Sequence, residues 1–241
     1  NTANSYSMLA KFHEEGQNLE EAKKVISKAV MIYVKMTGPS SYETGRELIK
    51  LGSINYKLKD ISTSIDCMKK GIAVIGKPDT KEKGVLLGKA YQVLACNAES
   101  DGKLEEAFMW YKDSLLLYKS FFGENNSLTA SAYNNLAINL SSQGKISEAI
   151  AFQEKAVLNS FGSSNYPNFL NTLGFLYSKN KELEKALKFL ETAFQKCEKP
   201  SSLASSILGN IASVYFEKKE FEKVKTLQTK ALDFILQIKK K

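Results

Sequence analysis

The chain has 241 residues, 43% of them hydrophobic, with 34 basic against 26 acidic side chains and a formal charge of +8. Lys or Glu interrupts every apolar run, so nothing approaches the roughly eighteen uninterrupted apolar residues of a membrane span, and Arg46 is the only arginine, which leaves few bidentate forks for phosphates or guanine edges and argues against a nucleic-acid reader. Three cysteines, Cys67, Cys96 and Cys197, lie far apart without a CxxC pair, excluding a disulfide framework and a zinc site. A reducing compartment fits that usage. The expected location is cytoplasmic, with organelle import left open because the chain begins at Asn1 without Met.

Six helical hairpins are predicted in chain order. Residues 3–38 place the small residues Ala10, Ala22 and Ala29, turn near Asn18 and close at Gly38-Pro39. Residues 41–77 open on a Ser40 to Glu43 capping-box spacing and carry Gly52, Ser64 and Gly71 around a turn at Asp60. Residues 80–122 hold Ala95, Ala107 and Ser114 and turn at Gly102-Lys103. Residues 127–162 hold Ala137, Ala149 and Ala156 and turn at Gly144-Lys145. Residues 167–199 start at Pro167, hold Gly174, Ala186 and Ala193, and turn near Lys181. Residues 202–239 follow Pro200 and hold Ala212, Val224 and Ala231 around a turn near Lys219.

In each hairpin the second of these residues follows the first by twelve positions and the third follows by seven more. The residue before the first is always a branched aliphatic: Leu9, Leu51, Leu94, Leu136, Leu173 and Ile211. Three positions before the second stands Leu19, Ile61, Leu104, Ile146, Leu183 or Phe221. Small residues let two helix backbones approach, and the flanking Leu and Ile fill the space around the crossing. A step of seven is two helical turns, so the second and third small residues share a face of the second helix. Strand signals are absent. The reading is all-α: a right-handed superhelical solenoid of about six antiparallel helix pairs, forming one array over residues 1–241.

The phrases Leu51-Gly52-Ser53-Ile54-Asn55-Tyr56 and Leu173-Gly174-Phe175-Leu176-Tyr177 make the chain resemble the tetratricopeptide repeat family. That resemblance implies a superhelix whose first helices line a concave groove that holds proteins or peptides. Steps of 42, 43, 42, 37 and 38 residues, together with the glycine-closed hairpins and Tyr133-Asn134-Asn135-Leu136-Ala137, are similar to kinesin light chain-type repeats. The chain departs from that type by lacking a histidine-proline after the closing glycine and by shortening its last two repeats.

No catalytic constellation is legible, and the chain reads as a non-enzyme without cofactor or metal. His13 is the only histidine and falls on the inner face of the first helix, which suits packing rather than general-base work. Neither a phosphate-binding GxxxxGK[ST] nor a GxGxxG motif occurs. Phe108, Trp110 and Tyr111 read as a plug between hairpins rather than a ligand cage.

First-helix positions flanking the first small residue are the candidate binding surface, expected to be free of packing duty. They bring Lys11, Arg46, Lys50, Ser53, Lys89 and Gln92 to the amino-terminal half and Asn134, Asn135, Asn168, Asn171, Phe175 and Asn210 to the rest. The asparagines suit clamping the backbone of an extended peptide, and the cations suit acidic side chains or a carboxylate. The expected function is therefore a protein-binding adaptor or scaffold. The alternatives are co-chaperone-like docking of acidic carboxy-terminal tails, for which Arg46 and Lys50 match one basic pair of that clamp while Met8 stands where it needs asparagine, and a regulatory domain of a larger protein. RNA binding is disfavoured by the uneven repeat steps. Self-association through the array ends is also open, through Phe234, Ile235 and Ile238, unless these pack on Ile211 and Tyr215.

Overall fold

A computed structural model describes residues 2–239, all of whose regular structure is helical. In chain order the helices are α1 (Thr2–Glu15), α2 (Leu19–Thr37), α3 (Tyr42–Lys57), α4 (Ile61–Ile75), α5 (Lys81–Ser100), α6 (Leu104–Phe122), α7 (Ser127–Ser142), α8 (Ile146–Leu158), α9 (Tyr166–Lys179), α10 (Leu183–Lys196), α11 (Ser202–Glu217) and α12 (Phe221–Lys239). They sort into two compact units, Asn1–Phe121 and Phe122–Lys241. Within the units, α1 packs on α2, α3 on α4, α7 on α8, α9 on α10 and α11 on α12, while Ser114 and Gly88 join α6 to α5.

The small-residue columns are where the helices meet. All six first-column residues are buried, and so are the second and third columns up to Ala193; Val224 and Ala231 of α12 are half-buried. Helix approach is close enough that a Cβ built on Gly52 would stand 3.1 Å from Met68 and from the Ser64 carbonyl, and one on Gly174 2.6 Å from Leu190. A further small column, not anticipated, lies seven residues before the first: Ala3, Gly45, Gly88, Ala130, Pro167 and Ser205, all buried. It faces the third column, since a Cβ on Gly71 would lie 2.9 Å from the Gly45 carbonyl and the Ser114 hydroxyl donates to the Gly88 carbonyl at 3.0 Å. The α3–α4 hairpin thus closes on two pairs of small residues, Gly52 with Ser64 and Gly45 with Gly71, one near each end of the contact.

Turn and cap chemistry explains the boundaries. Gly102 and Gly144 take φ of 74° and 79° between the paired helices, and Gln17, Lys59, Lys181 and Lys219 adopt the same left-handed conformation at φ 59–65°. Ser41, not Ser40, caps α3: its hydroxyl accepts from the Thr44 amide at 3.2 Å, shifting the start one residue from the expected box. Pro167 sits in the first turn of α9, and Ser201, after Pro200, caps α11. Tyr111 is buried and Trp110 stacks on Tyr91 with centroids 5.7 Å apart, so Trp110 packs inside the α5–α6 hairpin, not between hairpins as expected. His13 is half-buried and meets Phe12 edge-on at 6.0 Å.

Several tyrosines are held in their neutral form. Burial, followed by hydrogen bonds to Glu82 and Glu154, pushes Tyr42 and Tyr177 up to about 12, and burial pushes Tyr118 up to about 12. Their stabilising contribution is whole below the ordinary tyrosine value of 10 and is lost as pH rises from there through about 12, because the unfolded chain ionises first. Urea midpoints measured against pH should therefore fall steeply over that interval, and the double substitution Tyr118→Phe, Tyr177→Phe should flatten the fall. An equally steep fall in the variant would assign the loss to other groups.

Candidate peptide-binding surfaces

In the first unit, α1, α3 and α5 place Lys11, Arg46, Lys50 and Lys89 around one cavity of about 450 Å³, together with Asn4, Ser7, Met8 and Glu14. Its chemistry turns on a residue that the sequence reading passed over. Glu47 is fully buried, and its carboxylate accepts from the Ser7 hydroxyl at 2.7 Å, from Arg46 Nε at 2.8 Å and from Lys50 Nζ at 2.9 Å. Lys50 Nζ also donates to Ser7 Oγ at 2.6 Å. The Arg46 guanidinium lies 5.9 Å from the ring centres of both Tyr33 and Tyr42. Its Nε is committed to Glu47, which restrains the guanidinium at the cavity wall. The Glu47 bond raises the Arg46 value although burial opposes it, and the group stays charged.

Glu47 neutralises one of the two cations beside it, which leaves a site that is net positive but less so than the lysine and arginine count suggests. Lys11 pairs with Glu15 at 3.6 Å at the exposed edge. Lys89 is exposed and enters no ion pair among the described residues. Ser53 and Gln92 are half-buried and lie outside the cavity lining; the Ser53 hydroxyl donates to the Ile49 carbonyl at 3.1 Å. A signal for Glu47 existed. Five residues before the first small residue, the later hairpins carry Ala90, Ala132, Phe169 and Ile207, all buried, so a glutamate in that column is a buried one.

In the second unit the asparagines divide. Asn134 and Asn171 are 7% and 8% exposed and have packing duty, as do Ser7 and Ile49, against the expectation that these columns stand clear of the core. Asn134 Oδ1 accepts from Gln153 Nε2 at 3.0 Å, and Asn171 Oδ1 from Asn210 Nδ2 at 2.8 Å. Asn135 and Asn210 are half-buried and Asn168 is exposed. Asn210 and Phe175 share a cavity of about 280 Å³ with Lys179, Lys181, Ser213 and Glu217. There Phe175 is 40% exposed beneath Lys179 Nζ, 5.0 Å from its ring centre, and Lys181 pairs with Glu217 at 3.0 Å. This second surface offers an aromatic face and amide donors with little net charge. Among the described residues no group of three or more His, Cys, Asp or Glu could hold a metal ion, and no helix is long and apolar enough to cross a membrane.

Stacked hairpins sealed by small residues and presenting side chains on their first helices define an all-α helical-repeat protein. Tetratricopeptide repeat models match residues 89–157, 3–33 and 167–195, together more than half of the chain, which belongs to that family. No curated protein matches the sequence. Among solved structures, BtubC (BKLC) from P. vanneervenii is 18% identical, with 92% of each chain covered and a TM-score of 0.75. RapI in its apo form is 14% identical over the whole of both chains, with a TM-score of 0.72. A putative kinesin light chain repeat protein from Podosopora anserina is 13% identical over 84% of this chain and 99% of that one, with a TM-score of 0.66. At these identities the likeness is one of fold.

Proposed function

We propose that the chain is a protein-interaction adaptor that holds a segment of a partner protein on its first-helix faces, with acidic groups of that segment received in the first unit. The observation that carries this reading is the cavity lined by Lys11, Arg46, Lys50 and Lys89, with the Arg46 guanidinium held from behind by the buried Glu47 carboxylate and lying 5.9 Å from two tyrosine rings. A preorganised cation binds a carboxylate without losing much side-chain entropy at the moment of contact. By itself, the second unit's surface at Phe175 and Asn210 suits apolar contact and hydrogen bonds to a backbone. The fold supports a protein-binding role, and the acidic character of the partner is supported by the charge of the first cavity.

Lys11 and Lys89 separate binding from folding, because neither contacts Glu47. The double substitution Lys11→Gln, Lys89→Gln is expected to move the unfolding midpoint little and to weaken capture of an acidic, carboxylate-rich peptide library by at least about tenfold, judged by anisotropy at low salt. Equal binding by both proteins, or a preference for basic peptides, would remove the first cavity from the recognition surface.

A further inference from the structure

Aromatic rings recur at one register position of the second helices. Three residues past the second small column stand Trp110 in α6, Phe152 in α8 and Phe189 in α10. Each packs on a tyrosine of its own first helix: Trp110 on Tyr91 at 5.7 Å, Phe152 on Tyr133 at 6.1 Å and Phe189 on Tyr177 at 5.4 Å between ring centres. At the same position α2 and α4 hold Val25 and Cys67, both buried. In α12 it holds Leu227, which is only half-buried.

Around Leu227 the α11–α12 hairpin keeps the other parts of the arrangement found around Phe189. Tyr215 takes the register position of Tyr177, Lys223 that of Lys185 and Glu191 that of Glu154. Lys185 Nζ lies 5.1 Å from the Tyr177 ring centre, and Lys223 Nζ lies 4.6 Å from that of Tyr215. What differs is the ring. Phe189 covers Tyr177 with 5° between the planes, and Tyr177 is 6% exposed, whereas Tyr215 is half-buried and carries no stacked ring among the described residues. Beside it is a cavity of about 480 Å³ walled by Phe194 of α10, by Leu208, Ile211 and Tyr215 of α11, and by Leu227. Phe194 is backed in turn by Phe234, stacked on it at 6.4 Å. The polar contact is also unmade: the Tyr177 hydroxyl donates to Glu154 at 2.6 Å, but among the described residues no hydrogen bond joins Tyr215 to Glu191.

We propose that this cavity receives a tryptophan side chain of a partner protein, its indole stacked on Tyr215 as Phe189 stacks on Tyr177 and its N–H donated to Glu191. The chemistry of the occupant follows from what the neighbouring hairpins put in the same place, a flat apolar ring against a tyrosine. Tryptophan suits it because the cavity joins that ring surface to a carboxylate, and Trp110, at this position in α6, already donates its Nε1–H to Glu106 at 3.4 Å. The source of the ring follows from the surroundings. A polar groove of about 410 Å³ along α10 adjoins the cavity and shares Glu191, Tyr215 and Lys223 with it. An apolar socket bordered by a polar channel fits an aromatic anchor together with the chain on either side of it, and such anchors carry much of the energy of protein contacts. The site lies in the second unit and uses no residue of the first cavity, so it goes beyond the reception of acidic groups there.

Dye-labelled peptides of mixed polar sequence with a central tryptophan, and the same peptides with alanine there, test this by anisotropy. The wild type is expected to bind the tryptophan set at least about tenfold more tightly than the alanine set. Leu227→Phe supplies the ring from the chain itself, so it should raise the unfolding midpoint and abolish the preference. Leu227→Ala leaves the cavity open and, once circular dichroism verifies that it is folded, should keep the preference. The Lys11→Gln, Lys89→Gln protein should keep it too, since those lysines line the other cavity. A wild type without the preference overturns the proposal, as does a preference that survives Leu227→Phe or is lost in the lysine variant. Free indole binding as tightly as the tryptophan peptides would also overturn it, because the flanking groove would then contribute nothing.

Discussion

Alanine at both Arg46 and Lys50 is expected to destabilise the first unit by about 3–5 kcal/mol, although both side chains look like surface cations. The reason is the asymmetry of the cluster. Arg46 and Lys50 keep 25% and 42% of their side chains exposed, whereas the Glu47 side chain has no exposure. Deprived of Glu47, the cations can turn to water; deprived of the cations, Glu47 is a buried charge left with the Ser7 hydroxyl. Adding Glu47→Leu to the double variant should accordingly recover most of the loss. Urea unfolding of the single, double and triple variants forms the required cycle. A loss below about 1 kcal/mol in the double variant would mean that Glu47 is wetter than its geometry implies.

Gly88→Ala and Gly209→Ala should move stability in opposite directions, although both glycines lie inside helices. A Cβ on Gly88 would stand 2.3 Å from Tyr118 Cε1 and 2.5 Å from Cζ, and Tyr118 is 1% exposed, so its ring has nowhere to retreat. Overpacking of that kind costs about 1–3 kcal/mol, more than the helix propensity gained. At Gly209 a Cβ would meet nothing within 4 Å, and alanine should stabilise by about 0.5–1 kcal/mol. Thermal unfolding of the two variants decides the matter, and Tyr118→Leu should relieve Gly88→Ala. A Gly88→Ala protein as stable as the wild type would place the α5–α6 approach further apart.

The hairpins were legible because backbone approach leaves a trace at fixed spacing. Ala10, Ala22 and Ala29, and their counterparts in the next four hairpins, are small for the one reason that something larger would not fit. The column headed by Ala3 escaped notice because it mixes Ala, Gly, Pro and Ser near helix starts, where proline and serine already have a local explanation. Lys11, Arg46, Lys50 and Lys89 were legible as one group because they hold recurrent first-helix positions of the first three hairpins, and they line one cavity. The state of those charges was not. Glu47 sits between Arg46 and Leu48 in a segment that reads as solvent-facing, and only comparison with Ala90, Ala132, Phe169 and Ile207 marks its column as interior. Likewise, nothing in the composition of α7 and α9 tells whether an asparagine amide is spent on a neighbour. Asn134 is, because Gln153 is long enough to reach it.

Two buried polar groups link levels of the structure that repeat proteins usually keep separate. The Ser64 hydroxyl donates to Gly52 across its own hairpin and accepts from Asn97 of the next, and the Gln153 amide donates both to Asn134 within its hairpin and to Phe169 beyond it. In a linear array, unfolding is cooperative only to the extent that a unit's own stability and its coupling to the neighbour are hard to lose separately. Here opening the junction strands a group that also closes the hairpin, and opening the hairpin strands one that also seals the junction. At these two places, fraying one hairpin at a time carries an added penalty, and neighbouring hairpins are driven to melt as pairs.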